Sequence, residues 1–161
     1  MAFPTDRPRR LRRTAALRRL VGETRLHPAD LVLPLFVKEG LAEPQPVASM
    51  PGVHQHTLDS LRKAASEAVE AGVGGLILFG IPEVKDPLGS QADAEDGIVQ
   101  QALRTLRSDL GDDTVLMADL CLCEYTDHGH CGPLTVDRST VDNDVTLVRN
   151  ASVALAQVEA G

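Results

Sequence analysis

Aromatic residues are nearly missing from this chain. They make up 2% of its 161 residues, with no tryptophan and one tyrosine. A core must come from Leu, Val, Ile and Ala, and the 43% hydrophobic content is enough to build one domain of ordinary size. No run of ~18 apolar residues is present, so no membrane span is expected. The basic N-terminal stretch is not followed by an apolar segment and does not read as a secretory signal. Pro4 and Pro8 work against the amphipathic helix of a transit peptide. An excess of positive charge is also lacking: the net charge is -7, which argues against nucleic acid as the main partner. Cysteine is scarce, and the three present, Cys121, Cys123 and Cys131, fall within eleven residues. An odd, tight cluster without an export signal points to metal binding or catalysis, not disulfides, and to the cytoplasm.

The acidic total conceals an asymmetry. Seven arginines lie between Arg7 and Arg19, with only Asp6 against them. Such a segment is either an arm for nucleic acid or an acidic membrane, or an arm that docks on acidic protein surface, its own or a neighbouring subunit's. Nothing else in the sequence favours nucleic acid.

Residues 1–30 read as this N-terminal arm, with a short helix over 14–21 ended by His27-Pro28. Residues 31–161 read as one α/β domain. Leu31 to Val37 (LVLPLFV) has the continuous apolar pattern of a strand buried on both faces. Pro34 removes a ladder donor, so this strand should pair poorly on one side. Residues 38–57 read as loop. A helix is expected over Leu58–Ala71, a strand over Gly75–Phe79, and a helix over Asp93–Leu110. A third strand is expected over Thr114–Cys121, and a helix over Asn143–Ala160 capped by Asn143 or Asp144. Its stripe at helical spacing would be Val145, Val148, Ser152, Leu155 and Val158. Strand, helix, strand, helix, strand, helix implies parallel strands with helical crossovers. Strand starts near Leu31, Gly75 and Thr114 repeat about every 40 residues, so eight units would fill a (β/α)₈ barrel of roughly 320. The fold expected is therefore the first three units of such a TIM barrel, truncated, behind an extended arm.

The segment Asp119 to Cys131 (DLCLCEYTDHGHC) carries the chemistry. Cys121 and Cys123 are two apart at a strand end and should face one side, with Asp119 sharing it. Cys131 returns after a loop containing Gly129. Zinc bound by three thiolates with an open fourth position would be a catalytic arrangement. Closure by His128 or His130 would make a structural one, although His130 beside Cys131 is geometrically awkward. Cysteines can also serve as small buried hydrophobes with no metal at all.

The stretch DLCLCEYTDHGHCG resembles porphobilinogen synthase (5-aminolevulinate dehydratase) in its zinc-dependent, cysteine-rich form. RPRRLRR, LVLPLFVKEG, SMPGV, LFGIP, KDPLGSQA and VDNDVTL also resemble that family's N-terminal half, in order. The resemblance implies condensation of two 5-aminolevulinate molecules to porphobilinogen with loss of two waters, in tetrapyrrole biosynthesis. It implies a (β/α)₈ barrel whose arm wraps a neighbour in a homo-octamer, which favours the docking reading of the arginines. It places Cys121, Cys123 and Cys131 on the zinc ligands and Asp119 on an active-site aspartate that orients substrate or zinc-bound water. A structural partner to a backbone amide is the plainer role for Asp119.

The family's two Schiff-base lysines, its carboxylate-binding arginines and its Mg²⁺ site belong to the second half. The lysines here, Lys38, Lys63 and Lys85, match no Schiff-base position. The chain is therefore expected to be a fragment, inactive alone and poorly soluble, with open strand edges and uncovered apolar helix faces. A zinc-binding module without catalysis, and a half-barrel that modulates assembly, are the alternatives.

Overall fold

The computed structural model describes Thr5 and residues 8–161. The expectations resting on Pro4, Asp6 and Arg7 lie outside these residues. The arm carries a short 3-10 turn, Pro8–Arg12, and a first helix, α1 (Ala15–Leu20). Thr14 caps α1 by accepting from Leu17 N at 3.1 Å, and no residue of α1 is buried.

The described residues form one five-stranded mixed sheet. Strand β1 (Val32–Lys38) is followed by β2 (Gln45–Pro46), β3 (His54–His56), helix α2 (Leu58–Glu70), β4 (Gly75–Ile81), helix α3 (Ile98–Leu110), β5 (Val115–Ala118) and helix α4 (Asn143–Ala160). The order is β2-β3-β1-β4-β5. The three strands read from the sequence, β1, β4 and β5, are parallel neighbours joined through helices. The loop expected over 38–57 instead holds β2 and β3, antiparallel to each other, which makes the sheet mixed. Both are very short and polar, so no apolar run marks them.

Pro34 acts as expected. β1 pairs with β4 along its whole length, from Val32 to Lys38, but with β3 only at Phe36 and Val37. The core gathers Val37, Leu76 and Leu78 from the sheet with Leu61 and Ala65 of α2 and Leu103 and Leu106 of α3. Burying each such leucine contributes roughly 1.5–3 kcal/mol.

Two helix starts differ from expectation. α3 begins at Ile98, not Asp93, because Gly97 holds an extended backbone and Asp93 is engaged elsewhere. α4 is capped by Asp142, whose Oδ1 accepts from Val145 N at 3.1 Å. The apolar stripe of α4 is not buried: Val148, Leu155 and Val158 are 72%, 66% and 79% exposed. The helix instead packs on α3, and its buried residues are Val153 and Ala160. No helix among the described residues is long and apolar enough to cross a membrane.

Candidate metal centre

β5 ends at Ala118, earlier than the Cys121 boundary the sequence suggests. Cys121 and Cys123 thus share a side because of a turn, not because of strand alternation. Leu122 lies between them with no solvent exposure, so the turn is rooted in the core. Its backbone carbonyl accepts from Tyr125 N and Thr126 N, both at 2.9 Å. The Thr126 hydroxyl then donates to His130 O at 2.8 Å, closing the hairpin that returns Cys131.

The three sulfurs come together, with all their ligand atoms within 4.8 Å of one another. Cys121 Sγ and Cys123 Sγ are 3.3 Å apart. A zinc about 2.3 Å from each sulfur would hold tetrahedral thiolates about 3.8 Å apart, so this donor set fits the ion with small adjustment. None of the three cysteines is buried, which separates them from cysteines that merely fill a core. Neither His128 nor His130 joins a ligand cluster among the described residues. His128 Nε2 instead lies 3.3 Å from Pro87 O, and His128 Nδ1 accepts from His130 N at 3.2 Å.

Asp119 Oδ2 accepts from Cys121 N at 3.2 Å, the backbone contact of its plainer role. Asp119, Cys121 and Glu124 also form a second cluster within 4.8 Å. Burial raises the Asp119 carboxyl above its ordinary range, and the Glu124 charge adds to this against the Cys121 amide. Glu124 lies outside the expected ligand set, yet the Cys123 thiol donates to its Oε2 at 3.0 Å. Its place beside Cys123 in the motif was the available signal. Burial pushes the Cys123 thiol up, helped by Glu124 and Cys121. The Cys131 thiol is raised mainly by its contact with Cys121.

Tyr125 is buried and lies over Gly80 of β4. A Cβ on Gly80 would meet the Tyr125 hydroxyl at 2.5 Å and run into Val99 Cγ2, so only glycine leaves room for this seat. The loop after β4 is knitted to the hairpin through Asp86, which donates to Tyr125 O at 3.3 Å and accepts from Asp127 N at 3.2 Å. Lys63 makes a surface pair with Glu67, Lys85 is exposed, and Lys38 ends β1.

The model of the family described as delta-aminolevulinic acid dehydratase matches residues 5–161. The chain belongs to that family. Delta-aminolevulinic acid dehydratases of Streptomyces coelicolor and Mycobacterium tuberculosis are 58% and 59% identical to it, each over 99% of this chain and 49% of the relative. The chain thus spans about half the length of the curated relatives it matches, 49% in both. It is also similar to the crystal structure of the dehydratase (porphobilinogen synthase) of Toxoplasma gondii ME49 in complex with the reaction product porphobilinogen. That likeness has a TM-score of 0.89 at 31% identity, covering 97% of this chain and 44% of the other. The family resemblance read from DLCLCEYTDHGHCG and the blocks around it is borne out.

Proposed function

We propose that this chain provides the metal-binding half of a porphobilinogen synthase, which condenses two molecules of 5-aminolevulinate with loss of two waters. The observation that carries the reading is the convergence of Cys121, Cys123 and Cys131 at the end of a parallel strand, in a chain of this family. The β1, β4 and β5 units with α2, α3 and α4 are then the first three units of a (β/α)₈ barrel, whose chemistry lies at strand C-terminal ends. Residues 1–30 serve as an arm that docks on a neighbouring subunit of a homo-octamer, and 31–161 as the barrel portion.

Cys121, Cys123 and Cys131 hold Zn²⁺ and leave one position open. Zinc there supplies Lewis-acid polarisation of a bound substrate group. Asp119, whose carboxylate lies within 4.8 Å of the Cys121 sulfur, orients the substrate beside the thiolates. The hairpin's rigid seating on Leu122 and Tyr125 keeps the donors in place as substrate enters. None of Lys38, Lys63 and Lys85 acts as the Schiff-base nucleophile. The Schiff-base lysines, and a Mg²⁺ of the complete enzyme, belong to the other half.

Two measurements test this. Cys123→Ala should abolish stoichiometric zinc, and unchanged zinc content would show the ligands to be misassigned. The 161-residue chain should form no porphobilinogen from 5-aminolevulinate unless a second half is supplied. Turnover by the chain alone would overturn the division of labour.

A further inference from the structure

Helix α4 touches the cysteine segment at both of its ends, and sequence separation hides this. On the entry side, Gln157 Nε2 donates to the backbone carbonyl of Asp119 at 2.8 Å, two residues before Cys121. On the exit side, Gly132 follows Cys131 and is buried against α4. A Cβ on Gly132 would fall directly onto the Thr146 hydroxyl and lie 2.7 Å from Thr146 Cγ2. Thr146 cannot swing aside freely, because its hydroxyl donates to Asp142 O at 2.6 Å in the first turn of α4. Between these points Arg149 reaches the neighbouring loop, donating to Leu88 O at 3.2 Å and Gly89 O at 3.1 Å. That loop is the one paired to the hairpin through Asp86.

We infer that Gln157 and Gly132 are positioning residues of the thiolate centre, through which α4 fixes where Cys121 and Cys131 stand relative to each other. The inference rests on the reading of the three cysteines as metal ligands. The turn around Leu122 fixes Cys121 to Cys123 locally. Cys131 is held less closely: the local tie is to the preceding residue, where His130 O accepts from the Thr126 hydroxyl, and Cys131 itself is exposed. A helix that grips the backbone before the first ligand and after the last closes the triangle from outside. Such outer partners typically tune metal affinity by about 10- to 100-fold.

The test is a Co²⁺ titration of the 161-residue chain, followed by the thiolate-to-cobalt charge-transfer band, alongside thermal melting of the metal-free protein. Four variants accompany it: Cys123→Ser, Gln157→Met, Gly132→Ala, and Gly132→Ala combined with Thr146→Gly. The unsubstituted chain should show the band, and Cys123→Ser should lose it. Gln157→Met keeps the length of the side chain without its donor, and should weaken Co²⁺ binding about 10- to 100-fold. Gly132→Ala should do the same, and opening space at Thr146 should recover most of the loss. A purely structural role would lower the melting temperature while leaving the affinity and band shape of the folded protein unchanged, and that result overturns the inference. Should Gly132→Ala fail to fold, Gln157→Met decides alone. Absence of a thiolate band in the unsubstituted chain overturns the ligand reading itself, and the inference with it.

Discussion

Arg149 grips Asp93 with both ends of its guanidinium, Nη1 to Oδ2 at 2.7 Å and Nη2 to Oδ1 at 2.8 Å. The pair joins α4 to the loop that precedes α3, across more than fifty residues of sequence, and both side chains are 19% exposed. Ser152 adds a third hydrogen bond to the same carboxylate at 2.6 Å. A bidentate, partly dehydrated pair of this kind does structural work that a surface ion pair does not. Arg149→Met removes the charge and four hydrogen bonds, and leaves Asp93 half stranded. The expected loss is about 2–4 kcal/mol in unfolding free energy by urea titration. A loss under about 0.5 kcal/mol would place the pair among inconsequential surface contacts.

The same pair predicts an acid limb. The Arg149 hydrogen bonds hold the Asp93 carboxyl below its ordinary range, with Ser152 assisting against burial. A depressed folded value means that the stabilisation is complete above the unfolded value of about 3.9. It is lost as pH falls through the lower folded value. Asp93→Asn should therefore cost most at neutral pH, and the gap to the unsubstituted protein should narrow as pH drops below about 4. Urea midpoints at several pH values read this directly; a gap independent of pH would contradict it.

Gly80 offers a steric test of how the hairpin is seated. Gly80→Ala drives a methyl group into Val99 and the Tyr125 hydroxyl. The cost should be about 1–3 kcal/mol, as for overpacked cores. Combining it with Val99→Ala should return part of the loss, whereas Tyr125→Phe alone should return less, since Val99 is the nearer obstacle. Equal stability of Gly80→Ala and the unsubstituted chain would mean that the seat is not tightly packed.

The exposed stripe of α4 predicts behaviour in solution. Val148, Leu155 and Val158 present a continuous apolar ridge. Replacing Val148 and Leu155 with Glu should leave unfolding free energy within about 0.5 kcal/mol, as for exposed sites. It should reduce self-association measured by light scattering. Marked destabilisation instead would show that the ridge packs within the chain.

The sequence made much of this legible, for reasons that differ by element. β1, β4 and β5 announce themselves because parallel strands buried on both faces are apolar without interruption. The cysteine cluster was visible because the ligands sit close together in the chain. β2 and β3 leave no such mark: Gln45–Pro46 and His54–His56 carry no periodic pattern, and they are strands only because β3 pairs with β1 and β2 pairs with β3. The α4 stripe is legible as apolar, but apolar spacing says nothing about what covers a face. The roles of Gln157 and Arg149 are not legible, because a hydrogen bond spanning 38 or 56 residues leaves no local trace.

Leu122 has a consequence for how an ion would come and go. Many small zinc domains are unfolded without their metal, so release of the ion and loss of structure are one event. Here a fully buried leucine stands between two of the sulfurs and anchors their turn to the protein interior. Its burial and the hydrogen bonds to its carbonyl involve none of the three sulfurs. Metal exchange can then proceed as an ordinary equilibrium on a standing scaffold, with hydrogen exchange at the Tyr125 and Thr126 amides staying slow throughout. The centre is expected to act as a socket, refillable without refolding.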